Sequence, residues 1–204
     1  FGGYPSFREV PRLAGTLGKI PGGRCLGRAL RALSAPVISA ITSPKYASLL
    51  EYGTCYPDAY LLRRALFMPW ELPKLMDRDM AKAGWEELDE TTLRKTQVDG
   101  LGTARAKVSA LEATWYMRSQ LLRDSDWAGM AHSLEIRVPL VDTFLFKSLA
   151  PMLVSDKPPG KLDMAASPAK TLPGEVLNRP KTGFAVPMRN WLLKDDPTIT
   201  DRGF

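Results

Sequence analysis

The chain has 204 residues, 45% of them hydrophobic and 25% charged, with 28 Lys and Arg against 22 Asp and Glu for a net charge of +6. That length suits one domain or a large piece of one, able to bury roughly 70% of its unfolded surface, and the composition excludes disorder over the whole length. No apolar run approaches the ~20 residues that a membrane span needs, and Cys25 and Cys55 match no zinc or redox spacing, which fits a reducing cytoplasm.

The start, FGGYPSFREV, has neither an initiator Met nor a signal-peptide pattern and reads like the middle of something. From Phe1 to Ser34 the cations Arg8, Arg12, Lys19, Arg24, Arg28 and Arg31 face Glu9 alone. Such a skew attracts phosphates, RNA or acidic partners. The plainer reading is a solvated face, because no stacking aromatics are interleaved. Gly and Pro punctuate the first third, which predicts short helices and loops. Pro57 then marks a helix start in PDAYLLRRALF, residues 71 to 92 are acidic and helical in character, and VDGLGT breaks the chain.

The clearest helix runs from about Thr103 to Arg123, where Val108, Leu111, Trp115 and Leu122 share one face. Asp124, Ser125 and Asp126 offer caps for a short second helix, Trp127 to His132. LEIRVP alternates apolar and polar residues, predicting a short extended segment ended by Pro139. Asp142 can cap a further helix carrying Phe144, Leu145 and Leu149. Pro151 to Pro173 reads as loop, with KPPG as a turn. A short helix at about Gly174 to Asn178 leads into NRPKTGFAVP, and Trp191 opens a last helix. Strands are scarce and no internal repeat is present.

Several chemistries are missing. The chain has no Walker loop, no dinucleotide loop and no G-x-S-x-G elbow. With one His, a Ser-His-Asp triad could form only through His132, and a multi-His metal site cannot form within one chain. Two constellations remain. His132, Glu135 and Arg137 sit in MAHSLEIRVPLVD; a carboxylate beside a guanidinium there would brace the segment within a core or touch substrate directly. Arg179 and Lys181 flank Pro180 in RPKTGF, where Pro180 stiffens the backbone and Gly183 allows a sharp turn. Two cations held in this way suit phosphate oxygens, although a basic turn alone is usually a solvated loop. The stripes WYMRSQLL and LFMPWEL read as core.

Taken in order, FGGYPSF, AYLLRRALFMPWEL, LLRDSDWAGMAHSLEIRVPLVD and LPGEVLNRPKTGFAVPMRNWL resemble the synthetase domain of glutamine-hydrolysing asparagine synthetases, over nearly the whole chain. The resemblance implies a mainly α fold: the helical C-terminal portion of an α/β domain of the adenine-nucleotide α-hydrolase type, with most of the parallel sheet upstream. Residues 1–204 would be one partial domain, truncated on its N-terminal side and inactive alone. It implies ATP and Mg²⁺, with the metal ligands mostly upstream of Phe1 and none in this chain. Adenylation of the aspartate side chain would release pyrophosphate, and ammonia from an N-terminal glutaminase domain would then give asparagine and AMP. The resemblance assigns Lys181 to the ATP phosphates as the catalytic cation, with Arg179 beside it, and makes His132, Glu135 and Arg137 braces near the site. A cytoplasmic enzyme is implied, and a homodimer is compatible with it. Two positions depart from the family pattern: Trp127 stands where many members carry Arg, and Gly129 where they carry Ser. These departures keep open an amidotransferase of the same family acting on another carboxylate, in polysaccharide or secondary-metabolite synthesis. A basic helical nucleic-acid-binding module is the reading from a different class.

Overall fold

The computed structural model describes residues 2–88, 90–155, 157–180 and 191. Among the described residues there is no strand, so the mainly α expectation holds. The chain forms two compact units, Phe1–Gly160 and Lys161–Phe204.

In the first unit, the Gly- and Pro-rich third builds two sustained helices, α1 (Ser6–Leu17) and α2 (Gly23–Ile41), followed by short ones as expected, a 3-10 helix over Pro44–Ser48 and an α-helix over Leu49–Tyr52. Pro11 and Pro36 lie inside them. Each removes one backbone donor, a cost that lateral packing offsets. Gly22 turns the chain into α2 with a φ of 68°, where glycine is the least strained residue. Gly27 lets α2 lie directly on the backbone of Glu51 in α3 (Leu49–Tyr52).

The buried Glu51 carboxylate receives Arg31 at 2.7 Å and Arg28 at 3.4 Å, and Arg24 lies 3.5 Å from the buried Asp58. These three cations of the basic N-terminal third therefore neutralise buried acids. Arg31 is a largely buried structural charge, whereas Arg24 and Arg28 stay exposed, as a solvated face requires.

Helix α4 (Tyr56–Arg64) starts where Pro57 predicts, with Pro57 in its first turn. Val10 of α1, Ala59 and Tyr60 of α4, and Val108 and Leu111 of α7 (Ala104–Leu111) meet with Val98 in one core, against which Phe7, Leu13, Tyr56 and Trp115 pack. Each aliphatic side chain buried here contributes about 1.5–3 kcal/mol. The acidic stretch supplies α5 (Arg78–Leu88) and α6 (Glu90–Thr96). Asp77 caps α5, its Oδ1 accepting from the backbone N–H groups of Asp79 and Met80, both at 3.0 Å.

The long helix departs from expectation. Thr103, at the expected start of the helix, caps α7, accepting from Ala106 N at 3.1 Å. The chain then winds as a π-helix over Glu112–Leu122 and continues as α8 (Arg123–Met130) without a break. A capping residue must leave helical torsions, but Leu122 and Arg123 keep them, at φ/ψ of −70°/−45° and −61°/−47°. Asp124, Ser125 and Asp126 consequently lie inside the helix, and Ser125 Oγ donates back to Leu121 O at 2.7 Å.

After α8, Ser133 takes a left-handed φ of 55°, and residues 134–138 form neither helix nor strand before the turn at Pro139. Asp142 caps α9 (Thr143–Leu153), accepting from Leu145 N at 2.7 Å. Pro151 falls in the last turn of α9, so the helix runs past the point where a loop is expected. The apolar residues of this region are not core: Leu134 is 63% exposed and Phe144 81%.

The second unit contains α10 (Lys161–Ala166) and α11 (Gly174–Leu177). Helix α11 matches the predicted short helix, and Asn178 closes it by donating to Gly174 O at 2.9 Å. The helix expected after Trp191 lies outside the described residues.

Candidate functional site

Polar chemistry concentrates where the C-terminal end of α4 meets the start of the π-helical stretch. Arg64 donates from Nη2 to both carboxylate oxygens of Glu112, at 2.8 and 2.6 Å, and from Nε to Oε1 at 3.2 Å. Ser6 Oγ donates to the same Oε1. Burial alone would lower the Arg64 pKa, but the hydrogen bonds and charge of Glu112 more than offset it and the guanidinium is held firmly protonated. Its Cζ lies 3.6 Å from the centroid of Tyr116 and 4.9 Å from that of Tyr4, and the two rings meet edge to face at 87°. One cation is thus fixed by a carboxylate and two aromatic faces.

Beside it opens a cleft of about 360 Å³, with Tyr60, Arg64, Arg94, Trp115, Tyr116 and Arg123 among its walls. Arg94 comes from α6 with only 2% exposure, its Cζ 5.4 Å from the Trp115 ring. Trp115 is oriented in turn by its indole N–H, which donates to Gln97 Oε1 at 2.7 Å. Arg123 stacks at 5.0 Å on Trp127 and lies 3.5 Å from Asp124, a carboxylate on the same wall. Burial, and secondarily the charge of Glu112, raise the Tyr60 hydroxyl pKa well above its ordinary value, while nearby Arg64 works against the rise. Tyr60 therefore stays a neutral donor. Trp115 and Tyr116, read from sequence as core, are only partly buried and form a wall of this cleft.

The residues singled out from sequence fall elsewhere. Glu135 and Arg137 do pair, with Nε to Oε1 at 3.0 Å, but their side chains are 70% and 81% exposed. A brace buried in a core is not what the structure shows, because both side chains lie on the surface of their unit. His132 is exposed in the turn after α8. Arg179 is exposed just beyond α11. Lys181 lies outside the described residues. Among the described residues, no group of three or more His, Cys, Asp or Glu could hold a metal ion. The buried acids Asp58, Glu51 and Glu112 already face arginines. The described acids therefore do not fit Mg²⁺. Sequence reasoning missed Arg64, Arg94 and Glu112. A signal for Glu112 was present: it shares the helical spacing of Val108, Leu111 and Trp115, a carboxylate on an apolar face.

The Gly129 departure has a physical reason. A Cβ at Gly129 would lie 2.7 Å from Leu134 O and 3.1 Å from Ile136 Cδ1, because the chain folds back tightly, with Leu134 N donating to Gly129 O at 2.9 Å. The serine of the family pattern would not fit without movement of that backbone.

A sequence profile described as asparagine synthase matches residues 1–200. The chain belongs to the asparagine synthase family. It is 31% identical over 215 residues to "Asparagine synthetase [glutamine-hydrolyzing] 1" of Bacillus subtilis (strain 168), covering 96% of this chain and 30% of that protein. It is 26% identical over 196 residues to a "Putative asparagine synthetase [glutamine-hydrolyzing]" of Mycobacterium tuberculosis (strain ATCC 25618 / H37Rv), covering 94% of this chain and 29% of that one. The chain thus spans about 30% of the length of these relatives. No solved structure matches it significantly. Among the described residues, no helix is long and apolar enough to cross a membrane.

Proposed function

We propose that this chain is part of an ATP-dependent amide-forming ligase that adenylates the aspartate side chain and transfers ammonia from glutamine, giving asparagine, AMP and pyrophosphate. The observation that carries the reading is the family match over residues 1–200, which includes the specific RPKTGF turn. In this reading Lys181, with Arg179, meets the triphosphate oxygens, where a preorganised cation counts most as charge develops on the departing pyrophosphate. His132, Glu135 and Arg137 hold the neighbouring segment in register. Mg²⁺ is supplied with ligands from outside the described residues. A glutaminase domain delivers the ammonia, the setting is cytoplasmic, and dimerisation of the parent is compatible with all of this.

The departures at Trp127 and Gly129 favour a second reading, in which the same chemistry acts on a different carboxylate. The pairing of Arg24, Arg28 and Arg31 with buried acids weighs against a nucleic-acid-binding module, since those charges are engaged within the fold. The test is pyrophosphate release by the full-length parent given ATP and glutamine, with and without aspartate. Aspartate-dependent release with asparagine formed supports the first reading. Release that ignores aspartate but responds to another carboxylic acid supports the second. No release with any carboxylic acid rejects both.

A further inference from the structure

We propose that the cleft between α4, α6 and the π-helical stretch is a binding site for a small ligand, recognised through a carboxylate or phosphate oxyanion. Three guanidinium groups converge on it among apolar and aromatic walls. Arg64, Arg94 and Arg123 reach it from three elements, and Tyr60 lines it as well. A guanidinium carries five N–H donors and no acceptor, so such walls select a group that only accepts. Asp124 offsets part of this charge and Glu112 balances Arg64. Glu112 engages only the Nε and Nη2 donors of Arg64, however, leaving Nη1 outside that clamp.

The geometry is preorganised. Arg64 is fixed by Glu112 and the faces of Tyr4 and Tyr116, so binding need not order it. The cleft volume, about 360 Å³, lies in the range of small-molecule sites. Tyr60 lines the cleft beside Arg64, with its own hydroxyl buried. Trp115 and Tyr116 stand together on the π-helical stretch and form one wall. None of these residues belongs to the RPKTGF turn, and the inference does not depend on ligase activity.

Direct binding tests it. The full chain is titrated by calorimetry with inorganic phosphate and, separately, with succinate, at fixed ionic strength. We expect saturable binding of at least one probe. Phosphate alone identifies a phosphate-bearing ligand, and succinate alone a carboxylate. Arg123→Gln, which removes an exposed cation, should weaken binding about tenfold, the worth of one charged hydrogen bond. Arg123→Lys, which keeps the charge, should retain most of the affinity, and both variants should keep the helical circular dichroism. If Arg123→Gln does not fold, Arg123→Ala takes its place. Absence of saturable binding for both probes overturns the proposal. So does binding that loss of the Arg123 charge leaves unchanged, which would mean an adventitious ion only.

Discussion

Arg64 and Glu112, separated by 48 positions in sequence, hold each other through hydrogen bonds of 2.8 and 2.6 Å with little solvent access to the carboxylate. The pair ties α4 to the start of the π-helical stretch, next to the core of Val10, Ala59 and Val108. Removing one partner leaves the other charge largely desolvated. Glu112→Gln should therefore cost about 3 kcal/mol, read as a lower urea midpoint at unchanged m-value. Adding Arg64→Met should restore part of that loss, because the orphaned cation goes with it. A wild-type midpoint in Glu112→Gln would show that the clamp contributes nothing to stability.

Alkaline pH offers a separate handle on the same neighbourhood. The Tyr60 pKa is raised from its ordinary 10.0, first by burial and then by the Glu112 charge. The unfolded chain therefore loses this proton before the folded chain does. The contribution is fully present below pH 10.0 and is lost as pH rises through the folded pKa. Stability should fall above that pH, and Tyr60→Phe should flatten the fall. Tyr52, also raised chiefly by burial, keeps part of the slope in that variant. An identical pH profile for wild type and Tyr60→Phe would mean that Tyr60 titrates normally.

Gly129 permits the tight return after α8, where a Cβ would meet Leu134 O at 2.7 Å. Gly129→Ser should cost about 1–3 kcal/mol through displacement of that backbone, despite the serine of the family pattern. Thermal unfolding measures it, and an unshifted midpoint would show that the return has room to relax.

What the sequence made legible was whatever is decided locally. Asp142 caps the helix assigned to it, the long helix begins at about Thr103, and Pro57 sits in the first turn of α4. The break at Asp124 to Asp126 failed because cap-forming residues are also tolerated within a helix, where Ser125 bonds back to Leu121. The cleft was hidden for a different reason. Arg64, Arg94 and Trp115 come from separate elements, and no spacing rule links residues that only tertiary packing brings together. Glu112 alone left a trace, as a carboxylate on an apolar face.

Asp142 gives a local test. Its side chain accepts from Leu145 N at 2.7 Å and satisfies one of the open donors at the start of α9. Asp142→Ala should lower stability by about 1 kcal/mol, and Asp142→Ser should retain most of it. Equal stability of all three forms would show that the cap is idle.

The activity prediction rests on Lys181. In the proposed reading, the residue types at Pro180 and Gly183 favour a stiff turn that would present the cation. A charge fixed in advance stabilises developing negative charge without reorganising during the reaction. Its loss typically costs about 3 kcal/mol of barrier, a hundredfold or more in rate. Lys181→Ala in the full-length parent should therefore lower aspartate-dependent pyrophosphate release by at least about a hundredfold while glutamine hydrolysis continues. Lys181→Arg keeps the charge but changes its shape and reach, so it should recover only part of the rate. Should Lys181→Ala release pyrophosphate at the wild-type rate, the turn is a solvated surface loop, and the phosphate contacts must come from other cations.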